Sequence, residues 1–282
     1  MSRYALIAGL CLLTAHPVTG QSTIATSQSS AWGPNIGWLN SRPSSADGLR
    51  TLDAFCSGFL WGANVGWLHF GDGAPSDGIR YSNAGGDYGV NVTHDGALRG
   101  YAWGANIGWV CFEDSGNTRI DLATGILSGH AWGTNIGWIS MAETRTTQLA
   151  IVDVDADGIS DAWEKEHAAG NLMILGATSD KDHDGQTDLA EFIADTNPLD
   201  PTDLLKILVF RRDKDILDLV FTSKPSRFYQ ITASPGMTAG SWLDAGTGIL
   251  VGNPGNTAVC LPATAAPSMF YRVASIRPLA AP

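Results

Sequence analysis

One phrase recurs four times in this chain: AWGPNIGW at residues 31–38, LWGANVGW at 60–67, AWGANIGW at 102–109 and AWGTNIGW at 131–138. It uses eight of the ten tryptophans. The leading tryptophans, Trp32, Trp61, Trp103 and Trp132, are separated by 29, 42 and 29 residues. A two-unit block duplicated once gives that pattern, and repetition of this kind constrains the fold before any single residue does. Within each phrase the two tryptophans flank Gly-x-Asn-Ile/Val-Gly. Glycine and asparagine both tolerate positive φ, and Pro34 suits a turn, so the five central residues predict a chain reversal. A loop centred on Asn35 sets Trp32 opposite Trp38 as a cross-strand pair.

Further turns at Asp95-Gly96 and Thr124-Gly125 follow the alternating Val90/Val92 and Ile120/Leu122. Each unit therefore reads as strand, tight turn, strand, tryptophan hairpin, strand. The closely spaced glycines favour a scaffold in which the tryptophan pairs form the core and each unit buries its face on the next. The alternative is an exposed aromatic platform for sugar rings. Asn40, His69, Cys111 and Ser140, two residues after each second tryptophan, share no chemistry, which weighs toward the scaffold.

The formal charge of −11 is concentrated in one place. Residues 148–203 hold 14 acidic residues and two lysines, and the remainder is nearly neutral. Inside this stretch DVDADGISDAWE (153–164) and DKDHDGQTDLAE (180–191) both fit D-x-D-x-D-G-x-x-D-x-x-E, a twelve-residue calcium loop. A hard cation needs six or seven oxygens. Asp153, Asp155 and Asp157 supply three in the first loop, and Asp180, Asp182 and Asp184 three in the second. Backbone carbonyls of Ile159 and Gln186 add another, Asp161 and Asp188 bind directly or through water, and Glu164 and Glu191 close each site. The expected cofactor is two Ca²⁺ ions. Short helices are expected from Asp161 to Ala169 and from Asp188 to Ala194.

The D-x-D-x-D-G-Ile-Ser-Asp-x-Trp-Glu pattern, with TNPLDPTD after the second loop, resembles the bacterial thrombospondin type 3 repeat. Dockerin modules are a weaker match, since position eight is Ser160 and Thr187 where an aliphatic residue is usual. The resemblance covers about residues 151–203 and implies structural calcium in an extracellular module. The tryptophan phrase resembles a Trp-Gly-x-Asn-Ile-Gly-Trp repeat of exported bacterial proteins over about residues 30–141, and implies no activity. From Leu204, six or seven short apolar or alternating runs predict a small antiparallel β-sandwich. FYQITAS, Trp242 and FYRVAS make that block similar to fibronectin type III-like modules.

The expected fold class is mainly β. Residues 1–20 read as a cleaved secretory signal, 21–147 as a repetitive antiparallel β domain, 148–203 as tandem calcium loops with two small helices, and 204–282 as the sandwich. Past the signal, no run is long and apolar enough to span a membrane as a helix. The remaining Cys56, Cys111 and Cys260 are odd in number, so a Cys56–Cys111 bridge and buried free thiols both stay open. No G-x-S-x-G, H-E-x-x-H or phosphate-cradling loop is present. Glu113, Asp114, Asp121 and Glu143 read as surface carboxylates rather than a glycosidase pair, so an enzyme is not expected. The reading is a secreted or cell-surface calcium-binding structural or adhesive protein, with a carbohydrate-binding accessory protein using tryptophan platforms as the alternative and a polysaccharide hydrolase ranked behind it. Its expected partners are cell-surface glycans or envelope proteins and not nucleic acid. No oligomeric state is assigned.

Overall fold

The computed structural model describes residues 21–263 and 268–280; the segment read as a signal lies outside them. Over the described residues the protein is mainly β, with antiparallel sheets and two short α-helices. Its first part comprises β1 (Ile24–Gly33), β2 (Gly37–Asn40), β3 (Leu49–Thr51), β4 (Cys56–Gly62), β5 (Gly66–His69), β6 (Val90–Val92), β7 (Leu98–Gly104), β8 (Gly108–Cys111), β9 (Arg119–Ile120), β10 (Leu127–Ser128), β11 (His130–Gly133), β12 (Gly137–Ser140) and β13 (Thr144–Thr146).

Each tryptophan phrase is a hairpin: β1–β2, β4–β5, β7–β8 and β11–β12. The Ile36 amide donates to the Gly33 carbonyl at 3.2 Å, and Gly37 follows at φ +78°. A tight turn completed by a left-handed glycine is a favoured three-residue connection, because its twist matches that of the strands. Gly66, Gly108 and Gly137 repeat the conformation at φ +78°, +81° and +79°. The register places Trp32 opposite Trp38, as the sequence predicts, with the same pairing in the other three hairpins.

The hairpins join side by side through β2–β4, β5–β7 and β8–β11, and β12 returns to pair with β1, so the eight hairpin strands form a closed ring. Closure removes the free edges that open sheets expose. A second tier extends the ring: β3 runs along β4 and β6 along β7, β9 pairs with β10, and β13 runs along β1. The last chain segment of the ring thereby completes the first unit.

The core corrects the expected burial of the tryptophans. Strand side chains alternate between faces, and the inward positions are aliphatic pairs: Ala31 with Leu39, Leu60 with Leu68, Ala102 with Val110, and Ala131 with Ile139. Ile36, Val65, Ile107 and Ile136 fold in from the turns and are buried as well. An eight-stranded ring has an interior just wide enough to be filled by side chains. These aliphatic pairs, with the four turn residues, fill it and leave no volume for eight indoles. The tryptophans therefore stand on the outer face, from 37% exposed (Trp103) to 61% (Trp38).

The acidic segment carries α1 (Asp161–His167) and α2 (Asp188–Ala194); the first helix stops two residues short of the expected Ala169. Ile159, Trp163, Ala168, Leu175 and Phe192 form its own small core. Ala162 joins Leu52, Ala54, Phe55 and Tyr81 of the ring domain, which fixes α1 to that domain. The C-terminal part has β14 (Ile207–Asp213), β15 (Ile216–Ser223), β16 (Phe228–Ser234), β17 (Leu243–Val251), β18 (Gly255–Pro262) and β19 (Phe270–Ile276). They make two three-stranded antiparallel sheets, β14-β15-β18 and β17-β16-β19. Leu217, Leu219 and Phe221 from one sheet meet Tyr229 and Ile231 from the other. Cys56, Cys111 and Cys260 are unpaired, so the Cys56–Cys111 bridge is absent. Burial pushes the Cys56 thiol up to about 12.

Candidate functional site

The two acidic loops are built alike. Gly158 and Gly185 turn at φ +92° and +96°, where a Cβ would strain the backbone. The aspartates are then held by main-chain donors. Asp153 accepts from the Asp157 and Gly158 amides at 3.2 and 3.0 Å, and Asp157 Oδ1 accepts from Ile159 at 2.8 Å. In the second loop, Asp180 Oδ2 accepts from Gly185 at 3.0 Å, Asp182 Oδ1 from Asp184 at 3.1 Å and Asp184 Oδ1 from Gln186 at 2.7 Å. The Gln186 side chain is turned away to the Leu205 carbonyl at 3.1 Å. Loop position eight, unusual in sequence, serves each helix as its N-cap: Ser160 precedes α1, and Thr187 Oγ1 accepts from the Ala190 amide of α2.

Around these main-chain bonds the carboxylate oxygens converge. Asp153, Asp155 and Asp161 bring ligand oxygens within 4.8 Å of one another, as do Asp155, Asp157 and Glu164, and Asp180, Asp182 and Asp184. Both oxygens of Glu164 are buried with no hydrogen-bonding partner. The same holds for Asp157 Oδ2, Asp180 Oδ1, Asp182 Oδ2, Asp184 Oδ2 and Glu191 Oε2. Orphaned carboxylate oxygens at this density are costly to bury. Burial, reinforced by the neighbouring aspartates, pushes Glu164 and Glu191 up to about 8. A hard cation answers both the unsatisfied oxygens and the repulsion, and the donor set is all oxygen, so the residues fit one. Asp188 stands apart from the second cluster. Its two oxygens accept from the Lys181 amide at 3.1 Å, the Gly176 amide at 3.0 Å and the Ser179 hydroxyl. It braces the loop from within.

The second surface is the outer face of the ring. Trp103 and Trp109 approach with ring centroids 4.7 Å apart, Trp132 and Trp138 at 4.8 Å, and Trp32 and Trp38 at 6.5 Å. Two of the candidate carboxylates do local work. Glu113 Oε1 accepts from the Gly100 amide at 2.9 Å, and Asp121 Oδ1 from Ala123 and Thr124, both at 2.9 Å. The role of the repeated asparagine was not legible in the sequence. The left-handed turn position belongs to the glycine, and the asparagine side chain reaches to the neighbouring hairpin. Asn64 donates to the Ile36 carbonyl, Asn106 to Val65, Asn135 to Ile107 and Asn35 to Ile136, at 3.0–3.1 Å. The identical residue at four identical turn positions was the available signal.

Among the described residues no helix is long and apolar enough to cross a membrane. Comparison with known protein families, with curated proteins and with solved structures finds no match.

Proposed function

We propose that this chain is an extracellular structural or adhesive protein whose middle segment binds two calcium ions, one in each acidic loop. The observation that carries the reading is the set of buried, unpartnered oxygens on Glu164, Asp157, Asp180, Asp182, Asp184 and Glu191. In the first loop Asp153, Asp155, Asp157, Asp161, Glu164 and the Ile159 carbonyl would hold the ion; in the second, Asp180, Asp182, Asp184, Glu191 and the Gln186 carbonyl would. Calcium suits an extracellular setting, where the ion is plentiful and sites with dissociation constants of about 10⁻⁴ M suffice. The secretory pattern of residues 1–20 supports the same location. The ion's part is to neutralise and rigidify the segment between a repetitive β domain and a β-sandwich. Isothermal titration of the whole chain with calcium tests this: two ions per chain are expected, and a stoichiometry of zero overturns it.

A second reading, carbohydrate binding, is favoured by one observation. Eight tryptophans stand half-exposed on one outer surface, whereas a purely structural repeat has no use for so much accessible aromatic area. Paired indoles offer flat apolar faces of the kind that stack against the C–H faces of sugar rings.

A further inference from the structure

The repeat is regular except between the second and third phrases, where 42 residues replace 29. The additional residues fall between the end of β5 at His69 and the start of β6 at Val90. They form a pinned loop. Asp87 accepts from the Ser76 amide and hydroxyl at 3.2 and 2.8 Å, and from the Ser82 amide at 2.8 Å. At the loop's other end the hydroxyl of Tyr81, a residue only 3% exposed, accepts from the Gly73 amide at 2.7 Å.

The loop opens a cleft of about 340 Å³ lined by His69, Asp72, Ser76, Asp87 and Tyr88, within the range of small-molecule sites. Tyr88 continues the aromatic surface rather than interrupting it. Its ring lies 4.9 Å from Trp109 and 5.6 Å from His69, while His69 stacks on Phe59 at 4.7 Å and Phe59 meets Trp67 at 5.8 Å. An unbroken run of rings thus crosses from the second hairpin to the third. The Tyr88 hydroxyl and His69 Nδ1 are 2.8 Å apart, which orients both rings. Burial holds His69 below the usual histidine range, so its ring is uncharged at neutral pH.

The chemistry of the cleft selects its ligand. Two carboxylates, Asp72 and Asp87, repel phosphate and sulfate groups. Asp87 is satisfied within the loop, and Asp72 is exposed with its Oδ1 accepting only from the Ala74 amide at 2.9 Å. A flat aromatic wall beside an exposed carboxylate and a neutral imidazole suits a molecule with an apolar face and a hydroxyl-bearing edge. We propose that this cleft is a saccharide subsite taking one ring of a neutral glycan, with Tyr88 as stacking wall and Asp72 as hydroxyl acceptor. It rests on the carbohydrate reading above and narrows it from a fourfold surface to a single seam.

Calorimetric titration of the full chain with neutral glucose-, xylose- and N-acetylglucosamine-based oligosaccharides tests the assignment. One saccharide per chain is expected for at least one of the three. Tyr88→Ala should weaken it by about tenfold or more, the loss of one aromatic contact. Asp72→Asn should weaken it several-fold. Tyr88→Phe, which keeps the ring and the fold, should retain most of the affinity, and Met173→Ala, an exposed residue of the acidic segment, should leave it unchanged. Saturation near four per chain, or binding lost in Trp138→Ala and kept in Tyr88→Ala, overturns the cleft while leaving the tryptophan surface as the binding face. Silence from all three sugars overturns both.

Discussion

The Asn35 side-chain amide donates to the main-chain carbonyl of Ile136, 101 residues further along the chain, at 3.0 Å. The three equivalent bonds join hairpins that are consecutive in sequence; this one joins the last to the first. The ring is therefore closed by a side chain as well as by the β12–β1 and β13–β1 pairings. Asn35→Ala should cost about 1 kcal/mol, the net worth of one such bond, and Asn64→Ala a similar amount. The two should differ in hydrogen exchange. Asn35→Ala should accelerate β1 and β13 amides selectively, because the longest chain connection must be closed there. Equal acceleration across all four hairpins would contradict this.

Exposure changes what the tryptophans are worth. Trp103 keeps over a third of its surface in water and no core volume depends on it. Trp103→Ala should cost about 1–2 kcal/mol, from partial burial and the contact with Trp109. Leu60, fully buried in the ring interior, should cost about 2–5 kcal/mol on truncation to alanine. Chemical denaturation of the two variants checks the order. A Trp103 variant as damaged as the Leu60 variant would restore the tryptophans to the core.

Three units carry glycine three residues before the first tryptophan, at Gly58, Gly100 and Gly129, where the strand passes from one partner to the next. Gly58 has φ +86°, and a Cβ there would lie 2.1 Å from the Gly48 carbonyl oxygen. Neither the conformation nor the contact admits a side chain, so Gly58→Ala should destabilise by about 2 kcal/mol or more. Gly85, also at positive φ but with open space around it, should lose only about 1 kcal/mol on the same change. Thermal melts of the pair separate steric clash from backbone strain. The first unit has Ser29 at this position, and there the β1–β13 register shifts instead.

Much of this was legible in the sequence, and the reasons differ by element. The hairpins followed from the Gly-x-Asn-Ile/Val-Gly turn, whose chemistry is local. Helix α2 followed from its place directly after the second acidic loop, also local, while its cap at Thr187 came only with the structure. Which face of each hairpin turns inward was not local. Alternation fixes that Ala31 and Trp32 point oppositely, but the ring's interior width decides between them, and width is a property of eight strands together. For the same reason the asparagine ladder and the seam cleft were invisible, since both join residues of different units. The thirteen additional residues before Trp103 were visible, and they mark where the repeat departs from symmetry.

The seam loop should respond to acid. Burial opposes ionisation of Asp87, but the hydrogen bonds from Ser82 and Ser76 outweigh it and hold the carboxyl below its usual value of 3.8. A depressed folded pKa contributes stability that is fully present above the usual value and lost as pH falls through the lower one. The loop should therefore stay ordered at neutral pH and loosen only below about pH 4. Fluorescence or hydrogen exchange around Tyr88 should report that step in the wild type. Asp87→Asn should show a loosened loop already at neutral pH and no acid step of its own; a step of unchanged size in that variant assigns it to another group.

If the two acidic loops bind calcium as proposed, they should act on different neighbours. Helix α1, which carries Glu164, faces the ring domain through Ala162 and the 3.3 Å Arg80–Glu166 pair. Helix α2, which carries Glu191, faces the sandwich. Arg227 donates to the Phe192 and Ile193 carbonyls, both at 2.9 Å, and pairs with Asp195 at 3.5 Å, while Arg277 lies over the Phe192 ring at 4.4 Å. Both oxygens of Glu164 and Oε2 of Glu191 are buried without a partner, so an ion bound in each loop would stabilise the helix that bears its glutamate, by about 2.7 kcal/mol at a hundredfold excess over the dissociation constant. Glu164→Gln and Glu191→Gln should each reduce the calorimetric stoichiometry from two calcium ions to about one, since each alters the closing carboxylate of its own loop. Limited proteolysis should then distinguish them. Glu191→Gln should admit cutting near residues 195–206 and release the sandwich, Glu164→Gln should admit cutting nearer residues 150–160, and chelator should produce both patterns in the wild type. Identical cleavage in the two variants would show that the loops melt as one unit, and that the separate attachments of α1 and α2 do not govern the opening.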